Sequence, residues 1–284
     1  MAYLLIILKT IANISEGVLI KKYNAKHTAG GMFFTGIISL FALAFFLISD
    51  KNGFNFPAAM FPYAVAYGLI YCISYFLTFV ALACGSFTLS MLIISYSLVF
   101  PIIFGIIFLK ESVSVLTVIG FILLMISLFS VREKEGETDN KFSVKWIAAI
   151  ITVTLGNGAL AIIQKMQQLR FNNECNNEFM IIGLAVSASA LLAGSILKER
   201  KQLKEIIHYG IPYAGAAGAA NGINNLLTIA VNNLLPLSVV SPVCSGMKIV
   251  ISFLSATLLF KEKYMKRQII GVSIGVIALI FLNL

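Results

Sequence analysis

Residues 62–78, PYAVAYGLIYCISYFLT, and residues 212–228, PYAGAAGAANGINNLLT, read as copies of one another. Both lack acidic and basic side chains, and each sits in an apolar run long enough, at about 20 residues, to cross a bilayer as a helix. Pro, Tyr, Ala, Gly, Ile, Leu and Thr recur, whereas Tyr71, Ser74 and Tyr75 stand where the second copy has Asn221, Asn224 and Asn225. The chain is therefore read as internally duplicated in the membrane, its scaffold kept and its polar lining diverged.

The duplication extends in both directions. ANISEGVLIKK around Asn13 matches GNGALAIIQKM around Asn157, and FLKESVSVLTVIG ending at Gly120 matches LFKEKYMKRQIIG ending at Gly271. Apolar windows between polar breaks predict ten helices, at 3–21, 30–49, 58–82, 86–109, 113–131, 146–166, 178–197, 206–233, 237–260 and 267–283. The strongly polar stretch REKEGETDNKFSVK is the seam, which gives a first five-helix repeat over 1–131, a linker over 132–145 and a second repeat over 146–284. A half with five spans ends on the side opposite its start, so the second half enters the membrane inverted. The expected fold is an all-α integral membrane protein of ten transmembrane helices in two inverted repeats, the architecture of many secondary transporters.

Composition agrees: 59% of residues are hydrophobic and 12% charged, with mean hydropathy +0.94, against roughly 25% charged in soluble domains. The net charge of +9 sits in short loops, where it sets orientation and meets anionic lipid, and nucleic acid is not an expected partner. Cys72, Cys84, Cys175 and Cys244 are scattered without CxxC or neighbouring His, so neither a disulfide framework nor a metal site is expected. No cofactor is expected. MAYLLIILK lacks a basic region and a small-residue cleavage site, so it reads as a retained span. Lys21, Lys22, Lys26, Arg132, Lys134, Lys198, Arg200, Lys201, Lys261 and Lys263 fall on one side, against Lys51, Lys110, Lys165 and Arg170 on the other. The positive-inside rule makes the first side cytoplasmic and both chain ends external.

Ten spans in two five-span halves, with Lys110-Glu111 and Lys261-Glu262 before the last helix of each half and Gly120 and Gly271 inside it, resemble the drug/metabolite transporter superfamily, and within it the bacterial EamA-type branch. The resemblance implies an alternating-access carrier with a central cavity lined by helices 1 to 4 and 6 to 9, helices 5 and 10 being peripheral. It also implies cytoplasmic chain ends, against the loop charges. Cargoes in the superfamily include amino acids, sugars, nucleotide sugars, cations and drugs.

Lys9, Glu16 and Lys248 are the ionisable side chains of the Lys, Arg, Asp and Glu classes well inside predicted spans. A charge at bilayer depth faces a cavity or a partner. Lys9, Asn13 and Glu16 share one helix face by their spacing. Glu16 is a candidate for substrate contact and for proton coupling; the plainer reading is a pair with Lys9 or Lys21. Lys248 has no acidic neighbour in its own span, so it meets substrate or pairs with Glu16. Tyr63, Tyr67, Tyr71 and Tyr75 form one stripe, and Asn221, Asn225, Thr228 and Asn232 another. Unpaired amides are costly in hydrocarbon, so these stripes describe an amphipathic pocket or bond neighbouring helices. Asn13 and Asn157 occupy equivalent places in helices 1 and 6. Pro101 and Pro242 weaken helices 4 and 9, and His27, His208 and Trp146 read as interfacial.

The expected function is a multi-pass secondary transporter in the plasma or inner membrane, monomeric or homodimeric. Its expected cargo is a small polar or zwitterionic metabolite, bound by Asn13, Glu16, Tyr67, Tyr71, Tyr75, Asn157, Asn221, Asn225 and Lys248. Anionic or lipid-like cargo on the same fold is the alternative. An intramembrane enzyme would need a nucleophile and base or a metal cluster inside the spans, and no such motif appears.

Overall fold

The computed structural model describes residues 2–27, 30–49, 56–85, 87–110, 114–131, 143–201, 203, 206–260 and 266–282. Among these the chain is helical, with α1 Ala2–Asn24, α2 Gly31–Ser49, α3 Phe61–Cys84, α4 Phe87–Ser95, α5 Val99–Phe108, α6 Val115–Val131, α7 Val144–Arg170, α8 Asn176–Lys198, α9 Ile211–Leu234, α10 Leu237–Phe260 and α11 Lys266–Leu282. The ends fall close to the apolar windows because helix length here follows hydropathy. Lys110-Glu111 is described only at Lys110, while the Lys261-Glu262 pair and most of the polar seam lie outside the described residues.

The fourth window is split. A 3₁₀ turn, Tyr96–Leu98, separates α4 from α5. In a continuous helix the Pro101 ring would crowd the carbonyl of Ser97, and its missing N–H would break the ladder. With the helix restarting at Val99, Pro101 falls in the first turn, where no intrahelical N–H bond is required. Pro242 lies inside α10, which runs unbroken.

Helices α1, α2, α7 and α8, and α3 with the turn before it, are each long and apolar enough to cross a membrane. Helix α9 is as long as α3 but more polar, because Asn221, Asn224, Asn225 and Asn232 stand within it. The bundle is apolar outside and gathers polar side chains among the apolar ones inside: Ile48 is 82% exposed and Val115 75%, whereas Asn221 is fully buried and Glu16 nearly so. Such a distribution fits a surface facing acyl chains, which solvate leucine and not asparagine.

Packing follows a paired scheme. Helix α1 lies on α9 and α3 on α7; α2 lies on α9 and α3 on α8; α1 meets α10 as α4 and α5 meet α7. Helices α2 and α8 pair with each other, as do α6 and α11. Gly68 and Gly218, which match in the duplicated stretches, mark the closest crossings. A Cβ on Gly68 would strike the Gly183 carbonyl and come within 2.8 Å of Val186, and one on Gly218 would come within 2.8 Å of the Ile38 carbonyl. Ser39 and Ser187 hydroxyls meet at 3.3 Å between α2 and α8, and Ser127 donates to the Gly271 carbonyl at 2.6 Å between α6 and α11.

The lysines at the ends of α1 and α7 turn inward to carbonyls at the ends of other helices. Lys21 donates to Leu82 and Gly85 carbonyls at 2.8 and 2.7 Å, and Lys165 to that of Asn232 at 2.9 Å. Asn24 donates to Phe79 at 3.1 Å and Gln168 to Ile229 at 3.3 Å. The lysine bonds satisfy carbonyls left over at helix C-termini, and the amide bonds add a second contact to carbonyls one turn further in. Lys21 is therefore a helix cap, not a partner of Glu16. Trp146 is also not interfacial: it is buried, its Nε1 donates to Ser90 Oγ at 3.1 Å, and it packs where a side chain on Gly85 would stand.

Candidate functional site

A cavity of about 220 Å³ lies between α1, α3, the α4–α5 corner, α7, α9 and α10. Each wall follows from helical spacing. Lys9, Asn13, Glu16 and Ile20 project from one face of α1, and Tyr67, Tyr71, Tyr75 and Thr78 from one face of α3. Asn157, Leu160 and Gln164 come from α7, Asn224, Asn225 and Thr228 from α9, and Cys244, Ser245 and Lys248 from α10. Met91, Ile94, Ser97, Leu98 and Pro101 line the side where the helix breaks. The 3₁₀ turn thus places Ser97 and Leu98 on the wall.

Among the described residues no side chain of α2, α6, α8 or α11 lines the cavity. The peripheral position implied for the fifth and tenth spans agrees with the α6–α11 pair. The implied lining by the second and seventh spans does not hold. Helices α2 and α8 pack on each other and on the backs of α9 and α3, so their faces are used up away from the cavity.

Asn221 is the centre of a buried polar knot rather than part of the lining. Its Nδ2 donates to both Glu16 oxygens at 3.2 Å and to the Tyr75 hydroxyl. Its Oδ1 accepts from Tyr71 OH at 2.6 Å and from Asn225 Nδ2 at 2.8 Å. Tyr75 OH also reaches Glu16 Oε2, at 3.5 Å. The rings of Tyr67 and Tyr71 stack at 5.8 Å and those of Tyr71 and Tyr75 at 4.0 Å, so these three form a continuous aromatic wall, with the Tyr71 and Tyr75 hydroxyls turned toward α9 and Glu16. A buried carboxylate needs such donors, and α1, α3 and α9 are joined by the group that needs them.

The other site residues fall as follows. Asn13, Asn157, Asn225, Tyr67, Tyr71, Tyr75, Glu16 and Lys248 all line the cavity, and Lys9 lines it beside Cys244, whose sulfur is 3.6 Å from Lys9 Nζ. Lys248 lies within electrostatic reach of Lys9 and Glu16. Tyr63 is outside the cavity, bonded to Arg170 at 3.0 Å at the end of the bundle, and Asn232 serves through its carbonyl as the acceptor of Lys165. Thr10, Ser97, Gln164, Cys244 and Ser245 line the wall outside the residues expected there, and Asn224, expected only as part of the diverged polar lining, joins them. Asn224 had a signal, since it stands opposite Ser74 in the duplicated stretch. Gln164 continues the helical row of Asn157 and Leu160.

Two buried acceptors remain without hydrogen bonds here, Asn224 Oδ1 and Ser74 Oγ. Ser74 points at Gly156, where a Cβ would collide with its hydroxyl. The four cysteines are free thiols. Among the described residues no group of three or more His, Cys, Asp or Glu side chains is placed to hold a metal ion.

Residues 1–132 match the model of the EamA-like transporter family. No curated protein matches the chain. A crystal structure of a protein with 14% sequence identity aligns over 97% of this chain and 98% of its own, with a TM-score of 0.63, which shows a shared fold through both halves. Residues 1–132, the segment that supplies α1 through α6 of this multi-pass membrane protein, are thus similar to the EamA-like transporter family of the drug/metabolite transporter superfamily.

Proposed function

We propose that the protein is a secondary carrier moving a small polar metabolite across the cell membrane by alternating access, built as two inverted five-span repeats around the cavity. The observation that carries this reading is the cavity itself. A space bounded by Asn, Tyr, Lys and Glu side chains at the heart of an apolar bundle is expensive in lipid unless it receives a polar guest.

The paired packing supports the inverted repeat. Exchange of the first span for the sixth, the second for the seventh and so on through the fifth and tenth maps most of the larger helix contacts onto one another, the α10–α11 contact excepted. Asn13, Tyr67, Tyr71, Tyr75, Asn157, Asn225 and Lys248 are the proposed cargo contacts. Asn221 acts one layer back, by orienting Glu16 and the tyrosines. Glu16 is the proposed coupling group: a proton arriving on its carboxylate would alter the bonds that tie α1 to α3 and α9, the helices a rocking motion must separate. The loop charges favour external chain ends, with the seam between repeats in the cytoplasm.

Purified protein in liposomes should accumulate radiolabelled amino acids, sugars or nucleosides from a screened set, with uptake altered by an imposed pH gradient. Absence of uptake for every class, with and without the gradient, would contradict the carrier reading. Steady single-channel conductance in planar bilayers would contradict alternating access.

A further inference from the structure

The polar groups on the cavity wall divide into those already engaged and those left over. Glu16, Tyr71, Tyr75 and Asn225 are tied together through Asn221. Thr10, Thr78 and Thr228 each donate to a carbonyl one turn back, at 2.7, 2.8 and 2.7 Å. Two ammonium groups stand outside that knot. Lys9 Nζ lies 3.6 Å from Cys244 Sγ, and Lys248 follows Cys244 by one helical turn on the same face of α10, so both cations converge on one part of the wall. Glu16 is the one carboxylate among the lining residues, and its oxygens are held by Asn221 and Tyr75. Among the described residues, no salt bridge joins it to either lysine.

We propose that Lys9 and Lys248 form a subsite for the anionic group of the cargo, which is then a small organic molecule carrying a carboxylate, sulfonate or phosphate. Two like charges facing a space walled by protein and lipid repel each other, and an anion between them removes that repulsion while completing both ammonium groups. Asn224 Oδ1, buried and without a donor, supplies an acceptor for a hydroxyl or N–H elsewhere on the same molecule. The inference deepens the carrier reading, since it names what the cavity holds.

Cys244 reports on this subsite without knowledge of the cargo. In a Cys72→Ser, Cys84→Ser, Cys175→Ser background, membranes opened to both sides are treated with the anionic 2-sulfonatoethyl methanethiosulfonate or its cationic trimethylammonioethyl counterpart. The Cys244 thiolate attacks the reagent's sulfenyl sulfur, a mixed disulfide forms and methanesulfinate leaves. Each rate is divided by that reagent's rate with a small thiol in solution, so the ratio between reagents reads the local potential and not the thiolate fraction. The anionic reagent should be favoured by about tenfold or more. Lys9→Gln and Lys248→Gln should each cut that preference several-fold, and Lys9→Arg should keep it, which separates charge from folding. Equal rates, faster cationic modification, no modification by either reagent, or a preference unchanged in both Gln variants would overturn the subsite. Liposomes that take up no solute while the preference holds would sink the carrier reading and leave the subsite standing.

Discussion

The rim of the bundle and its centre treat the duplication differently. At the rim, matched residues make matched bonds. Lys21 and Lys165 occupy the same place in their stretches, and each caps a carbonyl, Leu82 or Asn232, lying equally far beyond Pro62 and Pro212. Asn24 and Gln168 repeat the pattern on Phe79 and Ile229. At the centre, Asn13 and Asn157 still match, but other matched places carry unlike chemistry: Glu16 against Leu160, Tyr71 against Asn221, Tyr75 against Asn225. Tyr71 then bonds its own matched residue, Asn221, which also donates to Glu16. The frame tolerates little change because backbone atoms meet there. The lining is free to diverge because its partners are side chains across a space.

If the rim is a matched frame, its two closest crossings should respond alike and strongly. Gly68→Ala and Gly218→Ala each drive a methyl group toward a backbone carbonyl, and each should lower the stability of the purified protein by about 1–3 kcal/mol, read as a fall in thermal midpoint. A large loss at one site and none at the other would break the comparison. At the centre, Glu16→Leu imitates the matched residue of α7 and removes the carboxylate that Asn221 and Tyr75 address. Uptake should fall more than tenfold, while the thermal midpoint falls by no more than an unpaired buried donor explains, about 1–3 kcal/mol.

The capping lysines test the frame at smaller scale. Lys21→Met and Lys165→Met should each cost about 1–2 kcal/mol in the same assay and leave cargo affinity unchanged. Smallest of all, Tyr63→Phe removes an exposed hydrogen bond from Arg170 while keeping the ring beneath the guanidinium, 5.7 Å from its centroid. A change under about 0.5 kcal/mol and normal uptake are expected, which would separate Tyr63 from the three tyrosines further along α3.

Much of this frame is legible in the sequence, because in lipid a helix must be both long and apolar, and the polar breaks stand out. The duplicated stretches also placed most of the lining, since four- and three-residue spacing keeps Lys9, Asn13 and Glu16 together however the bundle packs. Other features depend on contacts between helices far apart in the chain. Nothing local says that the helix before Pro101 would restart at Val99 rather than bend. Trp146 opens a helix as interfacial tryptophans do, yet Ser90 and the bare backbone of Gly85 give it a buried seat. Asn221 shares a stripe with Asn225, but only the approach of α1 and α3 makes it the hub behind the cavity. The withdrawal of α2 and α8 from the lining likewise follows from how tightly glycines let them approach α9 and α3.

The central claim, two halves lying antiparallel about a polar chamber, is tested most directly by the matched exposed residues at the ends of the first and sixth spans. In a variant without native cysteines, Lys26→Cys and Arg170→Cys, each exposed, are labelled in sealed right-side-out membranes by a thiol reagent that cannot cross the bilayer. Antiparallel halves place the two on opposite faces, so one should be labelled and the other should react only after the membranes are opened. Labelling of both from the same side would contradict the account.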